Sequence, residues 1–172
     1  QIPRTDIRVM HNAVDIGRYS YDAQKRAAMR DSLHLQDRFV IGSIGRMSYA
    51  KNQLFLLDCF QEIQQKAENA VLLFVGNGEL EQDIRNRIEG YGIGDKVILT
   101  GAVENAEDYL QLMDVFALPS RFEGLPCVLI EAQAEGLLCI VSDAVTKEAK
   151  ITDNILFVEL EKEKWVQAIL KQ

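Results

Sequence analysis

The chain has 172 residues, of which 48% are apolar and 26% are charged, an ordinary balance for a globular domain with a hydrophobic core. Its net charge of −7 argues against a broad nucleic-acid or anionic-membrane surface, so an anionic ligand would need local positive groups. No stretch of the sequence has the length and apolarity of a membrane span, and no signal-peptide pattern is recognisable.

The predicted elements alternate between helices and apolar strands. Residues 1–20 are predicted to be a linker or edge segment, with a short strand in IRVM and a loop in HNAVDIGRYS. A helix is predicted over residues 22–35, after which the pattern becomes regular. The predicted strands lie in FVIGSIG, VLLFVG, KVILTG, DVFALPS, LLCIVSD and ILFVEL, and the predicted helices cover 52–66, 80–88, 106–113, 125–135 and 161–171.

This alternation predicts the fold class. Strands that are apolar throughout are covered on both faces, and alternating strands and helices pair in parallel through right-handed crossovers. We therefore predict an α/β fold over residues 21–172, with a Rossmann-like, doubly wound parallel sheet. Ligands of such sheets bind beyond the carboxyl ends of the strands, which directs attention to the turns that follow each strand.

The cysteines and histidines predict no special chemistry. Cys59, Cys127 and Cys139 are odd in number and lie in apolar runs, which is typical of buried thiols in a reducing compartment. The two histidines show no ligand spacing, so no metal site is predicted. The chain starts at Gln1 without Met and ends within a predicted helix, which indicates a fragment of a longer protein.

The turn after the first regular strand, GSIGRMSYAKN, places two cations beside a helix start. Gly45 lets a ligand approach the backbone, Arg46 can bind phosphate oxygens bidentately, and Lys51 adds a point charge. The helix that begins near Asn52 also directs free amide groups outwards, which favours an anion such as a diphosphate. Taken alone, the turn is at least as typical of a solvated loop, and it lacks the G-x-G-x-x-G dinucleotide fingerprint.

Two further turns complete the pattern. VGNGELEQ holds Asn77 and Gly78, although such a turn is equally typical of a tight connection with no function. PSRFEGLPCVLIEAQAEG holds Glu123 in a predicted loop and Glu131 about two turns into a predicted helix, with seven residues between them. A carboxylate accepts two hydroxyl groups at once, which suits the vicinal diol of a ribose or hexose. The apolar neighbours of Glu131 indicate that it needs partners, whereas Glu135 is predicted to be solvated.

Together these turns resemble one family. GR…KN, VGNGEL, LTGAV and PSRFEGLPCVLIEAQAEGLLCIVSD follow one another as in the carboxyl-terminal, donor-binding domain of retaining glycosyltransferases of family 4, which have the GT-B fold. HNAVD resembles the Asn-Gly-Val-Asp linker segment of that family, with Ala13 in place of glycine. The resemblance covers nearly the whole chain, its specific part is the paired-glutamate motif with EGLP, and it implies that the amino-terminal acceptor domain is absent from this chain.

The resemblance implies a role for each matching residue. Arg46 and Lys51 would bind the donor diphosphate, Glu123 would contact the transferred sugar, and Glu131 would hold the ribose hydroxyls. Family members of this type work without a bound metal or other cofactor, so the two cations would neutralise the leaving diphosphate. The other implied donor-binding positions are Gly45, Asn77, Gly78, Ala102, Val103, Ser120, Gly124 and Leu125, of which Ala102 and Val103 would border the base.

The resemblance also implies the reaction and its setting. A hexose would pass from a nucleotide-diphosphate sugar, most simply UDP-linked, to a saccharide or lipid-linked acceptor during bacterial cell-surface or capsular polysaccharide synthesis. The protein would be cytoplasmic, either free or peripheral at the inner face of the membrane, and this chain alone would transfer nothing. AVTKEAKITDN replaces the glycine-rich segment of the family after Asp143, so the identity of the sugar stays open.

Two alternatives stay open on the residues alone. A sugar-nucleotide epimerase can share the fold, but it is not expected to carry the paired motif with EGLP. A non-catalytic nucleotide-binding or receiver-like module is the other alternative. A receiver needs an acidic cluster after its first strand, where this chain has Gly45 and Arg46.

Overall fold

A computed structural model of the chain describes residues 13–172, so the strand predicted in IRVM and the first two residues of HNAVD lie outside the described residues. The strands are β1 (Phe39–Ile44), β2 (Ala70–Val75), β3 (Val97–Leu99), β4 (Val115–Leu118), β5 (Leu138–Ser142) and β6 (Ile155–Val158). The helices are α1 (Ile16–Tyr19), α2 (Ala23–Ser32), α3 (Gln53–Lys66), α4 (Glu81–Tyr91), α5 (Ala106–Leu110), α6 (Cys127–Ala134) and α7 (Lys162–Leu170).

The six strands form one parallel sheet in the order β3-β2-β1-β4-β5-β6. This confirms the predicted doubly wound, Rossmann-like fold, whose direction of winding reverses between β1 and β4. β1 pairs with β2 along its full length, but its pairing with β4 ends at Gly42 and Phe116. The last two residues of β1 and of β4 are therefore not paired with each other.

Apolar side chains cover both faces of the sheet, as the strand composition predicts. Leu72 and Phe74 of β2 pack with α3, α4 and α7 on one face, whereas Val71 and Leu73 pack on the opposite face, where α6 lies. This alternation follows from the two-residue repeat of a strand. The core therefore holds the strands in place, and the turns at their carboxyl ends begin from fixed positions.

Two helix boundaries differ from the prediction. The predicted loop HNAVDIGRYS contains α1, which begins because the Asp15 carboxylate accepts a hydrogen bond of 2.9 Å from the Gly17 backbone N–H. α6 begins at Cys127 and not at Leu125, because a residue that precedes proline is disfavoured in the helical region and Pro126 caps the helix in an extended conformation. Glu131 consequently lies little more than one turn into α6.

Two side chains have surroundings opposite to those predicted. Glu135 is 5% exposed rather than solvated, and burial raises the pKa of its carboxyl to about 7. The Gln111 Nε2 group donates a hydrogen bond of 2.7 Å to the Glu135 Oε2 atom. Cys127 is exposed, whereas Cys59 and Cys139 are buried as expected, and burial raises the pKa of both buried thiols to about 12. No helix within residues 13–172 combines the length and apolarity that crossing a membrane requires.

Candidate functional site

A cavity of about 610 Å³ lies at the carboxyl edge of the sheet, between the turns that follow β1, β2 and β3. Its volume falls within the range of small-molecule sites. Six of the predicted donor-binding positions line it, namely Gly45, Arg46, Asn77, Gly78, Ala102 and Val103. The fold thus brings together residues from three separate turns of the chain.

Backbone hydrogen bonds hold these three turns against one another. The Met47 N–H donates to the Asn77 carbonyl at 2.9 Å, and the Leu80 N–H donates to the Met47 carbonyl at 3.1 Å. The Gly76 N–H donates to the Gly101 carbonyl at 2.9 Å, which links the second turn to the third. The cavity floor is therefore a set of mutually bonded loops whose geometry does not depend on flexible side chains.

Glycine is required at two positions of this floor. A Cβ atom at Gly76 would lie 2.3 Å from the Gly45 carbonyl oxygen, and the φ angle of Gly76 is +124°. A Cβ atom at Gly78 would lie 2.3 Å from the Met47 carbonyl oxygen. A side chain at either position would force the first and second turns apart, so the glycines of VGNGEL serve close backbone packing.

Two amides at the start of α3 shape the turn that carries Arg46 and Lys51. The Gln53 side chain is 2% exposed, donates to the Arg46 carbonyl at 2.9 Å and accepts from the Ser48 N–H at 3.3 Å. Asn52 has a φ angle of 59°, and its Nδ2 group donates to the Pro119 carbonyl at 3.1 Å. Sequence reasoning assigned neither amide a part in the site, although asparagine is among the few residues that tolerate the left-handed region.

Arg46 lies at the open side of the cavity. Its Nε group donates to the Glu79 carboxylate at 2.9 Å, while 75% of the Arg46 side chain and 51% of the Glu79 side chain remain exposed. The pKa of the Glu79 carboxyl lies below its usual range, first because its own backbone N–H bonds to it and then because of Arg46. An exposed pair of this kind contributes little to stability, so Arg46 can exchange Glu79 for an anionic ligand at little cost.

Lys51 and Glu123 meet beyond the carboxyl ends of β1 and β4, past the point where the pairing of these strands stops. The Lys51 Nζ atom lies 2.6 Å from Glu123 Oε1, and the fully buried Ser120 donates its hydroxyl to the same oxygen at 2.7 Å. The Arg121 N–H donates to the Ala50 carbonyl at 2.8 Å, which ties the two turns together. Three predicted site residues from two distant turns therefore form one cluster at the position where this fold class binds ligands.

Glu131 belongs to a separate part of the carboxyl edge. Within residues 13–172, the lining of the cavity includes none of Lys51, Glu123 and Glu131. Glu131 lies on α6 near Tyr19 of α1, and the pKa of the Tyr19 phenol is raised, first by burial and then by the Glu131 charge. Gly124 is exposed and Leu125 is half-buried in the loop before α6, so both lie outside the helix that they were expected to begin.

Comparison with known proteins identifies the family. Residues 38–172 match the family model of glycosyl transferases group 1. The chain belongs to the group 1 glycosyltransferases. It is 32% identical over 141 residues to the UDP-Gal:alpha-D-GlcNAc-diphosphoundecaprenol alpha-1,3-galactosyltransferase of Escherichia coli, which covers 80% of this chain and 36% of that protein.

Two further similarities agree with this family. The capsular polysaccharide biosynthesis glycosyltransferase CapH of Staphylococcus aureus is 31% identical over 138 residues, covering 74% of this chain and 38% of CapH. The crystal structure of Anabaena Alr3699/HepE in complex with UDP and glucose has the same fold, with a TM-score of 0.85, 22% identity and coverage of 95% of this chain and 46% of that chain. This group 1 glycosyltransferase chain thus spans less than half the length of the relatives it matches, as expected for one half of a GT-B fold.

The side chains of the part of this glycosyltransferase that the structure describes include no group of three His, Cys, Asp or Glu residues that could hold a metal ion. Whether the reaction needs a metal is a separate question, and metal independence stays a prediction. The roles of the individual site residues also stay predictions.

Proposed function

We propose that the chain is the donor-binding domain of a retaining glycosyltransferase that transfers a hexose from a UDP-linked sugar. The observation that carries this proposal is the cluster of Lys51, Ser120 and Glu123 beyond the carboxyl ends of β1 and β4. Lys51 of this cluster lies on the same turn of the chain as Arg46, which lines the 610 Å³ cavity. A cavity lined by one cation, with a second cation and a carboxylate in the neighbouring cluster, suits a nucleoside, a diphosphate and a sugar in that order.

In this proposal the two cations bind the diphosphate. Arg46 and Lys51 are each paired with one carboxylate, Glu79 and Glu123, in the absence of ligand. Both cations would turn to the phosphate oxygens of the donor, which form stronger charge-assisted hydrogen bonds. The Glu123 carboxylate would then be released to accept hydroxyl groups of the transferred sugar, held in place by the buried Ser120.

The reaction places the largest change of charge at this cluster. When the bond between the anomeric carbon and the diphosphate breaks, its electron pair goes to the diphosphate oxygen, and the acceptor oxygen bonds to the anomeric carbon on the same face and passes its proton to the departing diphosphate. Fixed positive groups beside the leaving oxygen stabilise this charge without reorganisation during the reaction. Arg46 and Lys51 would therefore lower the barrier without a metal ion.

The remaining residues are proposed to bind the nucleoside. The backbone of Ala102 and Val103, at the rim of the cavity, would border the base. The Glu131 carboxylate would accept the two ribose hydroxyls, since one carboxylate can serve a vicinal diol. The backbone amides of Gly124 and Leu125, which precede α6, would assist the sugar or a phosphate oxygen.

The acceptor and the setting are proposed from the relatives. The name of the Escherichia coli relative includes a UDP-linked donor and a diphosphoundecaprenol acceptor, and CapH is named for capsular polysaccharide biosynthesis. We propose a saccharide or lipid-linked acceptor and a role in bacterial surface polysaccharide synthesis, in the cytoplasm or peripherally at the inner face of the membrane. The proposed site holds one reactant, so the chain alone would bind donor without transferring it, because positioning two reactants contributes roughly 7–11 kcal/mol.

Calorimetry and thermal unfolding of the 172-residue chain test this proposal. We expect UDP and UDP-hexoses to raise the melting temperature more than uridine does, because a ligand that binds only the folded state stabilises it. GDP-mannose and NAD serve as comparison ligands. Binding of uridine and UDP with equal affinity would contradict the diphosphate site and indicate a nucleoside-binding module. Robust transfer from radiolabelled donor by this chain alone would show that the acceptor site has been misplaced.

A further inference from the structure

A second cavity, of about 270 Å³, lies between α3 and α4 beside the turn that joins β1 to α3. Tyr49 and Asn52, which stand on either side of Lys51 in the chain, line this second cavity. Gly45 and Arg46, at the start of the same turn, line the 610 Å³ cavity proposed to bind the donor. One turn therefore contributes to both cavities, and Lys51 belongs to the part of it that borders the second.

The loop between β4 and α6 also reaches the second cavity. Arg121 lines it two residues before Glu123, and the Arg121 N–H donates to the Ala50 carbonyl at 2.8 Å. The central carbon of the Arg121 guanidinium lies 4.6 Å from the centroid of the Tyr49 ring, which is a cation–π contact. Tyr49 is nevertheless 64% exposed, so the contact holds the ring in place and leaves much of its surface free for a ligand.

The lining of the second cavity combines an apolar wall with a charged pair. Its apolar side chains are Leu54 and Phe55 of α3 and Leu80, which precedes α4. The Arg87 Nη1 group donates to both oxygens of the Asp58 carboxylate at 2.9 Å. A guanidinium has five donors and a carboxylate about four lone-pair positions, so both groups keep capacity for the hydroxyls of a ligand. A sugar ring suits this lining, because its C–H face packs on apolar side chains and its hydroxyls bond to polar ones.

We propose that the second cavity is an acceptor subsite, which holds one sugar ring of a saccharide acceptor against Tyr49. This inference rests on the proposed function, which places the anomeric carbon of the donor at Lys51 and Glu123. The acceptor oxygen must come within bonding reach of that carbon, so the acceptor has to bind next to this cluster. The second cavity adjoins the cluster through Tyr49 and Arg121, and none of its lining residues within 13–172 lines the donor cavity.

NMR of the isotopically labelled chain, in the presence of UDP, tests this inference. The probes are the methyl glycosides of glucose, galactose and N-acetylglucosamine, which carry no diphosphate. We expect at least one of them to shift the backbone amide signals of Phe55 and Arg121. We also expect Tyr49→Ala to weaken binding of that glycoside about fivefold and to leave the affinity for UDP unchanged. Tyr21→Ala is the matched control, because Tyr21 is 57% exposed but lines a different cavity, before α2.

Each contrary outcome has a distinct meaning. A parent chain that binds no UDP would overturn the proposed function, and this inference with it. If UDP binds and none of the three glycosides shifts these amide signals, only the acceptor subsite is overturned. The same holds if a UDP-hexose shifts them and the free glycosides do not, because the second cavity would then hold the donor sugar. Equal weakening of glycoside binding in Tyr49→Ala and Tyr21→Ala would show that the glycosides do not bind at Tyr49.

Discussion

Cations surround a carboxylate at both edges of the sheet, but the hydrogen-bond partners of these charged groups differ between the two edges. At the amino edge, Asp114 precedes β4 and forms ion pairs with Arg26 and Arg30. Its Oδ2 atom also accepts from the Val40 N–H at 2.7 Å, and Arg30 Nη1 donates to the Leu112 carbonyl at 2.7 Å. These charges are satisfied by protein groups, several of them on the backbone.

At the carboxyl edge each cation is paired with one carboxylate, and Arg46 keeps far more contact with solvent. The side chains of Lys51 and Arg46 are 22% and 75% exposed, against 20% for Arg26 and 8% for Arg30. The same residue types therefore serve two purposes. Cations whose donors are taken up by the backbone stabilise the fold, whereas cations held by one exchangeable carboxylate beside a cavity are available to a ligand. Substitutions at each edge of the sheet test this division.

The largest expected effect is on stability, from Asp114→Ala at the amino edge. The substitution leaves Arg30 buried without its carboxylate and removes the acceptor of the Val40 N–H. We expect a loss of about 3–5 kcal/mol in the free energy of unfolding, measured by urea denaturation. Asp153→Ala is the control, because Asp153 is fully exposed in its pair with Lys150 and such pairs contribute little. If both variants lose less than about 1 kcal/mol, the amino edge is not the structural cluster inferred here.

The next effect concerns pH and Glu135, also at the amino edge. Its pKa is about 7, raised first by burial, from an ordinary value of 4.5. Because the folded state holds the proton more tightly, the stability that this group contributes is complete below about pH 4.5 and is lost as the pH rises through 7. Over that window the loss amounts to about 3 kcal/mol at most. Arg26 and Lys25 of α2 oppose the shift, and Asp22 adds to it.

Glu135→Gln removes this titration. We expect the stability of the variant relative to the parent to increase between about pH 5 and about pH 8, as measured by urea denaturation at several pH values. Glu163→Gln, at an exposed position of α7, is the matched control. A constant difference between Glu135→Gln and the parent across this range would show that Glu135 ionises normally in the folded protein.

At the carboxyl edge, the proposed diphosphate site predicts a ligand effect and little loss of stability. Arg46→Ala and Lys51→Ala each remove a charge-assisted contact, so UDP binding should weaken by about 1.5–3 kcal/mol while uridine binding changes little. Lys150→Ala, an exposed lysine between β5 and β6, is the control for loss of a positive charge. Calorimetry with both ligands decides the matter, and an equal loss for UDP and uridine would remove these cations from the diphosphate site.

The fold could be predicted nearly in full because its signals are local and repeated. Six apolar runs with intervening helical patterns correspond to the six strands, and their order follows from general rules of parallel sheets. The errors fall where the signal depends on tertiary contacts. α1 is four residues long and is held against α5 by Arg18 and against α6 by Tyr19. It is too short for a hydrophobic periodicity to predict it.

The site could be predicted as a set of turns but not as a geometry. The convergence of parallel strands at their carboxyl ends predicts that the turns holding Gly45 and Asn77 lie together, and the family resemblance adds Ala102. All three line one cavity. The pairing of Lys51 with Glu123 lies past the point where the pairing of β1 with β4 stops, which sequence patterns do not encode. The prediction that Glu135 is solvated was wrong, because its burial comes from Gln111 and the segment before α2, not from its neighbours on α6.

The smallest predicted effect is a change of preference between two ligands, caused by Glu131→Gln. The carboxylate can accept from both ribose hydroxyls, whereas the amide of glutamine has one acceptor oxygen and presents donors in place of the other. We expect the difference in binding free energy that favours UDP over 2′-deoxy-UDP to fall by about 1 kcal/mol in the variant, since one hydrogen bond is lost for the diol. Glu163→Gln, far from the site on α7, controls for the loss of one negative charge. Lys51→Ala should leave the same ratio unchanged, because the diphosphate is common to both ligands. A ratio that is equal in the parent and in Glu131→Gln would exclude Glu131 from the ribose site and confine ligand binding at the carboxyl edge to the cavity and the Lys51 cluster.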